Sequence, residues 1–123
     1  EREVPLQVGY GRVALHGVAD AVDRERGIVI DYKTDAVAHP EEHRLQLAVY
    51  AAALSATRAG LVYLRHDHVH WMDEGAVRRA QEEVAGVIDR MVALDFAPTP
   101  SAGACGVCAF RGVCAQAVTG HGV

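Results

Sequence analysis

The chain has no long hydrophobic run. None of its apolar stretches approaches the ~20 residues needed to cross a bilayer, so no membrane-spanning segment is expected. It also has no excess of positive charge. Twelve Lys and Arg stand against sixteen Asp and Glu, a formal net charge of −4. That balance argues against a surface that coats nucleic acid nonspecifically. Cysteine is scarce: three residues, all between positions 105 and 114. An odd, tightly spaced set does not look like a secreted disulfide framework. It points to a reducing, cytoplasmic location or to a ligand set. No signal peptide opens the chain. Glu1-Arg2-Glu3 has no initiator Met, as expected of a piece excised from something longer. No internal repeat and no low-complexity run is evident.

The 123 residues are half apolar and 23% charged, the make-up of one globular domain with a modest core. The stretch that organises them is a predicted hairpin. Val13 to Val22 is one strand, Ile28 to Lys33 the next, and the polar Arg24-Glu25-Arg26-Gly27 turns between them. With Glu25 and Arg26 at the tip, 24 pairs with 27, 22 with 29 and 20 with 31. Asp20 then stands opposite Asp31, with Cβ atoms roughly 5 Å apart. Lys33, two residues beyond Asp31, points to the same face.

Like charges directly opposite in a sheet are destabilising. A cation between them removes the problem, and hard oxygen ligands suit Mg²⁺ or Mn²⁺ better than Zn²⁺. Acids gathered around a metal also raise the negative count without opposing phosphate once the ion is held. The alternatives are a solvated strand face carrying acids by chance, and Lys33 as a plain ion-pair partner of Asp31.

Around the hairpin the chain reads as follows. Val4-Pro5-Leu6-Gln7-Val8 is a strand that Pro5 places at an edge or at its own beginning. Gly9-Tyr10-Gly11-Arg12 is a turn. Ile28-Val29-Ile30 is apolar and β-branched, so its strand is expected to be buried on both faces. Thr34 to His39 is a loop. Pro40 opens a helix, with Glu41 and Glu42 near its positive end. That helix runs through Leu45, Leu47, Ala48, Val49, Ala51, Ala52 and Leu54, with Gln46 and Tyr50 on one side of it.

Gly60 to Arg65 and Val69 to Met72 are strands, turned at His66-Asp67. Asp73 caps a second helix, with Val77, Gln81, Val84, Ile88 and Met91 at helical period and its end near Leu94. Phe96 to Ala104 is a linker before the cysteines. His66, His68 and His70 read as a surface hairpin, His16 has no assigned role, and Trp71 is expected in the core or against a helix, with base stacking as the alternative. The order β-β-β-α-β-β-α argues for an α/β or α+β sandwich: a central mixed sheet flanked by helices. The core is placed at residues 1–98, and a linker with a cysteine-rich C-terminal tail at 99–123.

At Gly17-x-x-Asp20, Asp31-Tyr32-Lys33-Thr34 and Gln46-x-x-x-Tyr50 the sequence resembles the RecB-like branch of the PD-(D/E)XK nucleases. These nuclease domains are attached to AddAB, AdnAB and RecBCD-type helicases and occur in CRISPR adaptation exonucleases. The resemblance covers residues 3 to about 114. It implies a restriction-endonuclease-like core and a Mg²⁺- or Mn²⁺-dependent deoxyribonuclease. That enzyme would be an exonuclease on single-stranded DNA, at the C-terminal end of a repair or recombination helicase-nuclease. Asp20 and Asp31 would hold the metal, with the backbone carbonyl of Tyr32 as a further ligand. Lys33 would activate water or offset developing charge. Gln46 and Tyr50 would orient the site and contact DNA, against the plainer reading of an ordinary helix surface.

Cys105, Cys108 and Cys114 resemble the Cys-x-x-Cys-x5-Cys tail that, with one distant upstream Cys, holds a [4Fe–4S] cluster in AddB-like relatives. Here a fourth cysteine is missing. Zn²⁺ with His121 as fourth ligand, or three free thiols, are the alternatives. Many relatives also carry, before the first strand, a helix with a His or Glu that completes the metal site. No such helix precedes Val4, so weak metal binding and poor cutting are expected of the isolated chain. The rival to an enzyme is a non-catalytic DNA-binding or scaffolding module that keeps the nuclease fold.

Overall fold

A computed structural model describes residues 1–118. The chain divides into two compact units, Glu1–Val92 and a second beginning at Ala93. The first is built on a five-stranded mixed sheet with strands in sequence order. Strands β1 (Arg2–Tyr10), β2 (Val13–Asp23) and β3 (Ile28–Lys33) form an antiparallel meander. Helix α1 (Arg44–Ala53) crosses over to β4 (Arg58–Tyr63), which runs parallel to β3. Strand β5 (His68–Met72) closes the sheet antiparallel to β4, and α2 (Glu74–Val92) follows. The expected α/β architecture, a central mixed sheet with helices, is the one observed. Among the described residues no helix is long and apolar enough to cross a membrane.

Local chemistry explains the boundaries. Asp23 accepts from the Arg26 amide and pairs with its guanidinium, both at 3.0 Å, and Gly27 takes a φ of 64°. That turn sets Val22 opposite Val29, the register the sequence predicts. Strand β1 is an edge strand, as Pro5 requires. The turn after it is shorter than expected. Gly9 and Tyr10 remain in β1, and only Gly11-Arg12 turns, with Gly11 at φ 61°. Two glycines are available, and only the second adopts the left-handed backbone.

Pro40–Glu42 forms a single 3₁₀ turn, and α1 starts at Arg44 rather than at Pro40. It ends at Ala53, one residue short of Leu54, where Ser55 at φ 55° lets the Ala56 amide reach back to Ala51 at 2.9 Å. Strand β4 begins two residues earlier than expected because the Gly27 carbonyl receives the Thr57 and Arg58 amides. It ends at Tyr63, ahead of a turn over 64–67.

Helix α2 is capped as expected: Asp73 accepts from the Ala76 amide at 2.8 Å. It stops at Val92, two residues before Leu94. Its buried stripe is Val77, Ala80, Val84 and Ile88. Gln81 instead sends its amide to the Ala48 carbonyl, and Met91 is exposed.

The core joins Val4, Leu6, Ala19, Val22 and Val29 of the meander to Leu47, Ala48 and Ala51 of α1, with Leu61, Tyr63, Met72 and the α2 stripe beside them. Leu47 is fully buried, so trimming it to Ala costs about 2–5 kcal/mol. Arg44 spans from α1 to Glu83 of α2 in a two-pronged pair at 2.5 and 2.9 Å. Trp71 departs from expectation. It is 54% exposed, because the pleat turns its neighbour Met72 to the core and Trp71 the other way. Its ring lies on Gly60, where a Cβ would come within 2.9 Å of Trp71 Cζ3.

In the second unit, α3 (Ala102–Val107) replaces the irregular linker expected up to Ala104. Ser101 caps it by accepting from the Ala104 amide at 3.1 Å.

Candidate active site

The C-terminal end of β3 and the first turns of α1 hold one connected set of polar side chains. Asp31 is only 5% exposed, the one buried charged residue of the described core. Its Oδ2 lies 2.7 Å from Lys33 Nζ. The pair is close but not aligned as a hydrogen bond, and Oδ2 has no aligned donor among the described residues. Lys33 Nζ donates to Gln46 Oε1 at 3.4 Å, and Gln46 Nε2 donates to Tyr50 Oη at 2.9 Å. The period of β3 puts Asp31 and Lys33 on one face, and the i, i+4 spacing of α1 puts Gln46 and Tyr50 on one side. The crossover brings the two faces together.

Asp20 reaches the same place from β2. Its Oδ2 accepts the Tyr32 amide at 2.8 Å, so a side chain takes the donor that a ladder partner would have used. The ladders are interrupted at this point, and the expected pairing of Asp20 with Asp31 is not among those observed. Strand β1 goes from Arg2↔Ala21 to Val4↔Ala19, and β2–β3 ends at Ala21↔Ile30. Burial along β2 marks Ala19 and then Val22, so the inward alternation slips by one around Asp20. On β1, the facing Glu3 sits at φ 50°. Irregularities of this kind re-aim a side chain, and here they turn Asp20 toward Asp31.

Electrostatics at the site are unbalanced. Burial raises the Asp31 pKa above the ordinary carboxylate value, Lys33 pulls it back, and the adjacent Asp20 carboxylate pushes it up again. Burial works against the Lys33 ammonium, but Asp31, and beyond it Asp35 and Tyr50, raise its pKa overall. Two neighbouring carboxylates, one of them buried with an oxygen lacking an aligned donor, make a hard-oxygen set that fits Mg²⁺ or Mn²⁺. The set is small. Among the described residues no three His, Cys, Asp or Glu side chains gather around one point.

Sequence reasoning missed three features. Arg2 and Glu3 line a cleft of about 530 Å³ with Asp20 and Tyr32. His43 Nε2 lies 3.2 Å from Asp35 Oδ2, tying the exit of β3 to the start of α1. Lys33 is also the only lysine in the chain, the other eleven basic residues being Arg. That last signal was available in the composition, because Arg cannot lose a proton in a protein while Lys can.

The arrangement of the cysteines among the described residues gives the expected cluster no support. Cys105 is buried on α3 and its Sγ accepts the Val118 amide, whereas Cys108 and Cys114 are exposed. All three line a shallow cleft with Pro98, Pro100 and Gln116 but form no metal-ligating group among the described residues. His121, the alternative fourth ligand, lies outside the described residues. His68 and His70 sit on edge strand β5 and His66 in the turn before it.

Among solved structures, the crystal structure of SSO0001 is similar, with a TM-score of 0.56 and 26% identity over 97% of this chain and 61% of that one. The chain thus spans about three fifths of the length of that protein. None of the curated proteins matches it significantly. A model of the PD-(D/E)XK nuclease superfamily matches residues 1–115. Nearly the whole chain, with β2, β3 and α1 inside the match, therefore carries the family pattern, and the chain belongs to the PD-(D/E)XK nuclease superfamily.

Proposed function

We propose that the chain is a Mg²⁺- or Mn²⁺-dependent deoxyribonuclease of the RecB-like branch, cutting single-stranded DNA as the nuclease domain of a repair or recombination helicase-nuclease. The superfamily implies hydrolysis of nucleic-acid phosphodiesters. The observation that carries the reading is the buried Asp31–Lys33 pair at 2.7 Å, with the Asp20 carboxylate beside it. A lone structural ion pair has no need of a second carboxylate that raises the pKa of the first.

Asp20, Asp31 and the Tyr32 carbonyl would hold the divalent ion, which when bound supplies Lewis-acid polarisation of a phosphoryl oxygen. Tyr32 N–H fixes the Asp20 carboxylate. Lys33 keeps an ammonium next to the reacting centre, where it offsets charge that grows as the phosphorus is attacked. Gln46 accepts from that ammonium and donates to Tyr50, so α1 fixes where Lys33 points. Burial of Asp31 limits competing water at the pair.

One observation favours a second reading, a non-catalytic DNA-binding or scaffolding module. The described residues offer only two carboxylates and no third ligating side chain at one point. Digestion of end-labelled single-stranded and duplex DNA with Mn²⁺, by the parent and by Asp31→Ala, decides between them. Faster cleavage of the single strand, lost in Asp31→Ala, supports the nuclease. DNA retained in gel shifts but never cut, with no Mn²⁺ bound in calorimetry, supports the scaffold.

A further inference from the structure

The Lys33 ammonium has a second carboxylate within its field. Asp35 lies two residues beyond it, on the segment that leaves β3, and its charge acts on Lys33 in the same direction as that of Asp31. Asp35 nevertheless makes its own contact elsewhere, at 3.2 Å to His43 Nε2. The His43 side chain is 19% exposed and that of Asp35 41%. The His43 backbone is fixed at both ends. Its amide donates to the Pro40 carbonyl, and its carbonyl receives the Leu47 amide, both at 3.1 Å. The imidazole is therefore anchored at the first turn of α1, three residues before Gln46.

We infer that His43 is a positioning residue that holds the Asp35 carboxylate away from Lys33, leaving the ammonium to Asp31 and Gln46. The inference rests on the proposed role of Lys33 in phosphodiester cleavage. Without His43, Asp35 is a free acid on a loop, two residues from an ammonium carried on a flexible four-carbon stem. An ion pair between them draws Nζ from the site and forfeits the geometry that Gln46 and Tyr50 impose. A structural brace between β3 and α1 leads to a different expectation, because removing Asp35 as well would not mend a broken brace.

Two measurements on the full-length protein test this. A crystal structure of His43→Ala reads the geometry without any need for activity. Asp35 within ion-pairing distance of Lys33 Nζ is the expected result, and Asp35 still turned away from Lys33 overturns the inference. In cleavage of single-stranded DNA with Mn²⁺, His43→Ala is expected to lower kcat about tenfold with little change in KM. Adding Asp35→Asn in the same chain is expected to restore most of that loss, and His43→Gln, which keeps a donor, to lose less than His43→Ala. A double variant no better than His43→Ala overturns the inference and leaves the brace. If Lys33→Ala cuts as well as the parent, the nuclease reading of Lys33 fails on its own, while the crystal structure still decides where Asp35 goes.

Discussion

Gly17 and the Tyr50 ring share one volume: a Cβ placed on Gly17 would stand 3.2 Å from Tyr50 Cε1 and 3.6 Å from Leu6 Cδ1. The glycine is there for close approach and not for a left-handed backbone. Three residues before Asp20 on β2, it leaves room for the Tyr50 ring, whose hydroxyl accepts from Gln46.

Gly17→Ala should therefore act on the site more than on the fold. The added methyl pushes the ring by a few tenths of an ångström and loosens the Tyr50–Gln46 contact, at an overpacking cost of about 1 kcal/mol. Cleavage is expected to fall about tenfold, a misplacement effect. Thermal unfolding and cleavage measured on one preparation check this. Full activity in Gly17→Ala would show that Tyr50 need not sit where it does.

Burial of Asp31 makes the stability of the metal-free protein depend on pH. Burial raises the Asp31 pKa, Lys33 opposes that and Asp20 adds to it. A carboxyl whose folded pKa exceeds its unfolded one favours the fold when protonated. That contribution is complete below the ordinary carboxylate value and is lost as pH rises through the raised one. Asp31→Asn never ionises, so its Tm at neutral pH should exceed that of the metal-free parent, with a flatter profile across this window. A lower Tm for Asp31→Asn at neutral pH would mean that the Lys33 pair outweighs the burial.

Divalent metal should reverse that order. An ion that binds only the folded chain stabilises it by about 2.7 kcal/mol at roughly a hundredfold excess over its Kd. Mn²⁺ is expected to raise the Tm of the parent, and not that of Asp20→Ala or Asp31→Ala, in differential scanning calorimetry. An equal rise in all three would place the ion elsewhere.

What could be read from the sequence follows from short-range rules. The hairpin register was legible because the polar Arg24–Gly27 segment reads as a short turn, and its length alone sets Val22 opposite Val29. The shared face of Asp31 and Lys33 follows from the period of a strand, and that of Gln46 and Tyr50 from the period of a helix. The joining of those two faces, Nζ to Oε1, is a tertiary event that no local period contains. The slip at Asp20 was hidden because it depends on the backbone of Glu3, on a different strand. The Asp35–His43 contact spans a loop whose course the sequence leaves open. Trp71 was misplaced because a large aromatic suggests a core, whereas edge strand β5 has a single covered face and Met72 takes it. The cysteine spacing was legible as a motif, and the three thiols share one cleft, but one is buried and two are exposed, and they form no metal-ligating group among the described residues.

The most direct test of the account is single-turnover cleavage of single-stranded DNA by the full-length protein and its Lys33→Ala form, with Mn²⁺ affinity measured on both. The account predicts that Lys33→Ala keeps its metal, since the carboxylates of Asp20 and Asp31 are untouched, and loses cleavage by about a hundredfold or more. Equal cleavage by the two proteins would contradict it, because the ammonium held 2.7 Å from Asp31 would then be an ion-pair partner and nothing more.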